Sequence, residues 1–173
     1  MGMILDVTAG NRVMWSKNKT PLGVIFIDRE SGLAISPDIL ADNTYLPIRT
    51  DLDIDSIIFD PPWLTKTSIP PWMLSKKERN QFHGGFSFYD YFNSKKEIVP
   101  YIYKAQREFK KYTNILCMKW GDRIIPLDRL LGMFARDGWV VIHRNEIKNY
   151  RIKRKKDRTR NWWVTFIRKR ERK

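Results

Sequence analysis

Short apolar runs alternate along this chain with polar stretches that can form helices. Met3–Val7 is apolar apart from Asp6 and leads into Thr8-Ala9-Gly10, the pattern of a buried strand entering a turn. Asn11–Lys19 predicts a short helix. Leu22–Ile27 is apolar and β-branched and stops at Asp28, a second strand. A short third strand is expected near Asp38–Ala41. Ser56–Phe59 is a fourth, halted by Asp60-Pro61-Pro62. Residues 64–97 carry no strong period and contain Pro70-Pro71 and Gly84-Gly85. Ile98–Tyr112 sets apolar residues at 98, 99, 102, 105 and 109, a helical spacing. Asn114–Trp120 predicts a fifth strand. Leu127–Phe134 predicts a helix that Asp137-Gly138 closes, with Gly as the residue able to turn left-handed after the last turn. Trp139–His143 and Trp162–Ile167 predict strands six and seven.

Strands that alternate with helices predict a mostly parallel sheet with helices on both faces. The stretch Asn149–Asn161 is too polar and basic for a core helix, so the last two strands are expected to pair antiparallel as a hairpin. The whole is an α/β, Rossmann-like arrangement of seven strands in a single domain spanning 1–173. Ligands of such sheets sit outside the carboxyl ends of the strands. Asp6, Asp28, Asp42 and Asp60 all fall at or near those ends.

Composition narrows the class. With 173 residues, 42% of them hydrophobic, the chain is long enough for a real core. Its net charge of +14 suits a polyanionic partner, nucleic acid first and an acidic membrane surface second. No apolar run approaches the roughly 20 residues that span a bilayer. The start, MGMILDVTAG, lacks the basic and long apolar regions of a signal peptide. The single Cys117, among Ile115, Leu116 and Met118, reads as a small core residue; it excludes an internal disulfide framework and a Cys-built zinc site. A cytoplasmic protein is expected, with no metal.

The chemistry concentrates at the strand ends. The turn Asp6-Val7-Thr8-Ala9-Gly10 can bring main chain close to a ligand, although one Gly after a strand also makes an ordinary turn. Asp28 ends the next strand about 20 residues on, where an acid can accept both hydroxyls of a ribose. It can equally be a loop acid paired with Arg29. Asp42 can accept from the amino group of a cofactor's adenine, or simply form a turn in Ala-Asp-Asn. Ser56–Trp63 is sharper. An apolar strand delivers a carboxylate, two prolines and an aromatic. The prolines remove main-chain donors and leave carbonyls exposed. A carboxylate and a carbonyl together accept both hydrogens of an –NH2 group. This favours a pyramidal nitrogen and frees a lone pair otherwise delocalised into a base. Trp63 offers a face on which an extruded base can stack.

Asp60-Pro61-Pro62-Trp63 resembles the (D/N/S)-P-P-(Y/F/W/H) signature of the amino-methyltransferases of DNA, and Asp6–Gly10 resembles their cofactor motif. The span from Asp42 through Leu46-Pro47 to Asp60-Pro61-Pro62, with Met118-Lys119-Trp120 and Asn161-Trp162-Trp163, is similar more specifically to small methyltransferases of phages and archaeal viruses. The resemblance implies a class I methyltransferase fold, with S-adenosylmethionine as cofactor. Asp6, Thr8, Ala9, Gly10, Asp28 and Asp42 would hold that cofactor. Asp60, Pro61, Pro62 and Trp63 would be catalytic, on adenine in DNA. Cytosine amino methylation in DNA and adenine methylation in RNA are the alternatives. A cofactor loop with the single glycine Gly10 motivates a fourth reading, a non-catalytic nucleic-acid-binding protein on the same fold.

Two further segments bear on the partner. Residues 64–97 interleave Trp72, Phe82, Phe86, Phe88, Tyr89, Tyr91 and Phe92 with basic residues, as a lid or substrate-recognition segment would; a hydrophobic cap on the core is the other reading. Lys148–Lys173 holds thirteen Lys and Arg against two acids, so a basic C-terminal hairpin and tail carries most of the net charge. Lys153, Arg154, Lys155, Lys156, Arg158 and Arg160 are the expected phosphate contacts, unless the tail is only a solvated basic face. Monomer and homodimer are both compatible with the sequence.

Overall fold

The computed structural model of the protein describes residues 2–10, 12–15, 20–61, 92–122, 124–147 and 160–168. Seven strands form one sheet: β1 (Met3–Asp6), β2 (Val24–Asp28), β3 (Ile39–Leu40), β4 (Ile54–Phe59), β5 (Ile115–Gly121), β6 (Trp139–Ile147) and β7 (Asn161–Arg168). Their order is β3-β2-β1-β4-β5-β7-β6. The pairs among β3, β2, β1, β4 and β5 are parallel, and β7 runs antiparallel to both β5 and β6. Two α-helices follow strands, α1 (Lys95–Phe109) and α2 (Leu127–Arg136). The expected sheet, antiparallel last strand included, is therefore the one observed.

The register separates the two faces. Leu5, Ile57, Leu116 and Phe166 lie side by side across four strands, as do Phe59, Met118 and Val164. All seven are fully buried. Both helices pack on this face. Phe59 meets Phe109 edge-on at 4.9 Å and Tyr101 at 6.2 Å, and Phe134 stacks on Phe166 at 4.5 Å. Each such ring contributes about 1.5–3 kcal/mol by leaving water. Asp137, just after α2, ties the helices together by accepting from Lys110 (3.0 Å) and Gln106 of α1. On the opposite face the described cover is one 3-10 turn, Val13–Trp15, over β2, where Trp15 meets Phe26 edge-on at 5.6 Å.

Several boundaries differ from the periodicity, each for a local reason. The helix expected over Asn11–Lys19 is, in its described part, only that 3-10 turn; Arg12 sits at φ +55°, a left-handed conformation that a right-handed helix cannot contain. Asn11 and residues 16–19 lie outside the described residues. The second strand begins at Val24 rather than Leu22, because Gly23 turns the chain at φ +76° and leaves Leu22 fully exposed. The third is reduced to Ile39–Leu40, and β6 continues past His143 to Ile147, with His143 exposed on it. α1 starts at Lys95, three residues earlier than the apolar spacing showed. There Glu97 accepts the main-chain N–H of Asn93 (3.0 Å) and the Ser94 hydroxyl (3.5 Å), which holds the chain at the helix entrance, although the Ser94 side chain itself caps no main-chain N–H. The end of α2 is as expected: Gly138 adopts φ +83° and its N–H donates to Ala135.

Candidate active site

The strand order reverses between β1 and β4, and in open sheets of this kind the ends of the two strands flanking the reversal part to leave a crevice. Asp6 ends β1, Asp28 ends β2, and Asp60 follows β4 directly. Three of the four acids that the sequence singled out thus gather at one edge of the sheet.

Main-chain bonds hold the loop after β1 in place. The N–H of Val7 donates to Ile58 (3.1 Å) and that of Ala9 to Ile27 (3.1 Å), so the loop remains tied to β4 on one side and β2 on the other. Gly10 then turns at φ +49° in open space, and its N–H donates to Asp28 Oδ2 at 2.9 Å. Asp28 Oδ1 accepts from Glu30 N–H at 3.0 Å. Each oxygen keeps a second lone pair for a ligand hydroxyl. The Thr8 hydroxyl accepts the main-chain N–H of Asp60 at 2.6 Å. One hydrogen bond therefore joins the loop after β1 to the Asp-Pro turn after β4.

The buried carboxylates are electrostatically coupled. Asp6 is fully buried, and burial drives its pKa from an ordinary 3.8 to about 6. Hydrogen bonds from Trp15 Nε1 (2.7 Å) and Thr8 N–H (3.3 Å) oppose that rise, whereas the charges of Asp60 and Asp28 add to it. Burial also pushes the Asp60 carboxyl up, and the Lys119 ammonium at 2.7 Å from Oδ2 pulls it part of the way back. Among the described residues this edge brings three carboxyl groups together, one of them paired with Lys119. Such a set favours a cationic ligand.

Asp42 lies after β3, where Oδ1 accepts the N–H of Thr44 at 2.8 Å and makes an Asx turn. Its neighbour Asn43 is buried and donates to the Val7 carbonyl (3.2 Å) and the Tyr101 hydroxyl (2.8 Å). Asn43 Oδ1 has no hydrogen-bond partner among the described residues. Ala9 and Pro61 are buried. Pro62 and Trp63 lie outside the described residues, as do His83, nearly all of the aromatic segment, and Lys153, Arg154, Lys155, Lys156 and Arg158. Arg160 is described. It is exposed beside β7, 3.2 Å from Asp122 Oδ2, with its guanidinium 5.7 Å from the Trp162 ring. Pairing of Gly121 with Asn161 puts it at the same sheet edge as Asp60.

Residue-type reasoning missed four partners that make the site. Lys119, Asn43 and Trp15 each contact it from another part of the chain, and no short-range spacing announces such contacts. Arg12 is the fourth. Its guanidinium lies 3.9 Å from the Phe26 ring centroid and donates to Ser36 O (2.9 Å) and Asp38 (3.2 Å), so it ties the β1 loop to the β2–β3 connection.

No protein-family model and no curated protein matches the sequence. Solved structures do match in fold. The hMettl16 catalytic domain in complex with MAT2A 3'UTR hairpin 1 superposes with a TM-score of 0.59 at 14% identity, covering 96% of this chain and 63% of that domain. The same domain with hairpin 6 gives 0.53 at 16% identity, covering 96% and 64%. PH1948 of Pyrococcus horikoshii, a candidate RNA methyltransferase, gives 0.51 at 12%, covering 96% and 74%. The chain thus spans less than two thirds of the length of the hMettl16 catalytic domain. No helix among the described residues is long and apolar enough to cross a membrane. Strand order, the antiparallel β7 and these superpositions together make the fold that of the class I methyltransferases.

Proposed function

We propose that the protein transfers a methyl group from S-adenosylmethionine to the exocyclic amino group of a nucleic-acid base, adenine in the first instance. One observation carries the reading: the Asp60-Pro61 turn stands at the end of a central strand, hydrogen-bonded through Thr8 to the loop after β1. A methyl donor in that loop and an amine on Asp60 would then be neighbours.

The residues present fit the cofactor. Asp28 sits where a ribose diol would be held, Gly10 leaves the turn open, and the carboxylates suit a ligand bearing a sulfonium and an ammonium. The buried, unpartnered Asn43 Oδ1 beside the Val7 carbonyl is a further acceptor. When bound, the cofactor supplies an electrophilic methyl group. The protein's own residues do the rest. Asp60 and the Pro61 carbonyl accept the two amine hydrogens, which concentrates the lone pair on nitrogen and aligns it for attack. Asp60 is also placed to take the proton released once the nitrogen is alkylated. Trp63 would stack on the extruded base, and the basic tail with Arg160 would engage phosphates without reading sequence.

DNA is the acceptor that the signature suggests. RNA is the second reading, favoured by the hairpins bound to the hMettl16 domain. Incubation of the protein with labelled S-adenosylmethionine and mixed single- and double-stranded DNA and RNA, followed by nucleoside analysis, tests both. N6-methyladenine in one polymer is the expected product. N4-methylcytosine would move the substrate to cytosine, and unlabelled nucleosides throughout would leave a nucleic-acid-binding protein without catalysis.

Asp28→Ala tests the cofactor position. Loss of a hydrogen bond to a charged acceptor costs about 1.5–3 kcal/mol, roughly ten- to a hundredfold in affinity. Calorimetric titration with S-adenosylmethionine should show that loss, and wild-type affinity would remove Asp28 from the cofactor site.

A further inference from the structure

Lys119 is the one cation in the described part of this acidic edge that touches a proposed catalytic group. It projects from β5, the strand next to β4, and the registry explains why. Ile58 pairs with Cys117, so Asp60 and Lys119, each two residues further on, fall opposite one another on the same face. The carboxylate is 17% exposed and the ammonium 31%, with 2.7 Å between Nζ and Oδ2. Water screens such a half-buried pair less than a fully exposed one, though not negligibly.

We propose that Lys119 is a positioning residue of this site: its ammonium occupies Asp60 Oδ2, keeps the carboxylate ionised, and presents Oδ1 to the acceptor amine. The inference rests on the reading that Asp60 receives that amine. It follows from two constraints. A buried carboxylate without a cation takes up a proton and becomes a donor at one oxygen. A protonated Asp60 would compete poorly for an amine hydrogen and could not accept the proton released after transfer. The Thr8 hydroxyl anchors the Asp60 main chain, and Lys119 anchors one carboxylate oxygen, so the residue is held once through its main chain and once through its side chain. Among the described residues, the other titratable groups at this edge are Asp6, Asp28 and Cys117, with Arg160 beside β7 engaged by Asp122. Asp6, from β1, is a second acid, and its own carboxyl is pushed up by burial and further by the charges of Asp60 and of Asp28 from β2. Cys117, two residues back on β5, has its thiol pushed up by burial and is neutral in the relevant range.

The experiment compares wild type with Lys119→Met, Lys119→Gln and Lys119→Arg. Asp60 ionisation is read directly by carboxyl carbon NMR against pH, with Asp60→Asn to assign the resonance. The acidic limb of kcat/KM for methyl transfer is followed in parallel. Both neutral variants should move the Asp60 titration and the acidic limb upward together by about one pH unit or more, with cofactor affinity unchanged. Lys119→Arg should restore both towards wild type. An Asp60 titration that stays in place in the neutral variants overturns the proposal, as does a shifted titration with an unmoved rate profile. A shifted titration in a protein that methylates no nucleic acid would instead overturn the methyltransferase reading and leave the electrostatic coupling standing.

Discussion

Asp60→Ala is expected to lower methyl transfer by about 10²–10³-fold while leaving S-adenosylmethionine affinity within a factor of a few. The magnitude is that for removing one preorganised hydrogen-bonding group aimed at charge that develops in the transition state. Asp60 stands beyond the cofactor loop. Its link to that loop, the bond from its N–H to Thr8, belongs to the main chain and survives the substitution. Because the lost contact is made mainly in the transition state, kcat should fall with little change in KM. Asp60→Asn should fall nearly as far, since its single amide oxygen cannot accept from both the Lys119 ammonium and the amine. Removal of the carboxylate leaves Lys119 without that partner. The ammonium is partly exposed and can turn towards water, so the fold should survive. Single-turnover rates alongside titration calorimetry would check the separation. Undiminished turnover by folded Asp60→Ala would remove Asp60 from the chemistry altogether.

Asp6→Asn is expected to stabilise the protein above pH 6 and to weaken cofactor binding. In the folded chain Asp6 holds its proton up to about pH 6, whereas an unfolded Asp releases it near 3.8. The folded state therefore binds the proton more tightly. The resulting stability is present below about pH 4 and is lost as pH rises through 6. A tenfold change in proton affinity is worth about 1.4 kcal/mol, so burial of the ionised group costs on the order of 3 kcal/mol at neutral pH. Asparagine has nearly the same shape and never ionises; its one oxygen can keep the short bond from Trp15 Nε1, at the loss of the longer one from Thr8 N–H. The gain should appear in denaturant unfolding at pH 7.5 and vanish at pH 4. An equal gain at both pH values would show that charge burial is not its source. Retention of a carboxylate at such a cost is reasonable if its charge serves a cationic ligand, and the titration of Asp6→Asn with S-adenosylmethionine tests that link.

The places of the strands along the chain, and of the two described α-helices, could be read from hydrophobic periodicity, because burial against a sheet imposes periods of 2 and 3.6 on any sequence. So could the antiparallel last strand: a linker as basic as 149–161 cannot cover a sheet, and only a hairpin remains. The acids at the strand ends were equally legible, since a polar residue that stops an apolar run must lie where the strand meets water. Three of them converge because parallel strands bring all their carboxyl ends to one edge. The limits of legibility were local or long-range. Arg12 in a left-handed conformation is incompatible with the first turn of the helix expected at 11–19, and a propensity count cannot see that φ. The Ser94–Glu97 spacing would have placed the start of α1, because a capping signal lies in polar residues rather than apolar ones.

Tertiary structure alone decided what each acid experiences. Asp6, Asp28 and Asp60 are the same residue type at equivalent strand ends. Yet Asp6 is sealed beneath Trp15, Asp28 bonds to two main-chain N–H groups, and Asp60 is paired with a lysine 59 residues further along the chain. Sequence position specifies a carboxylate at each place. Its charge state depends on the solvent excluded around it and on the charges that the sheet registry sets beside it, and both exist only after the strands have paired.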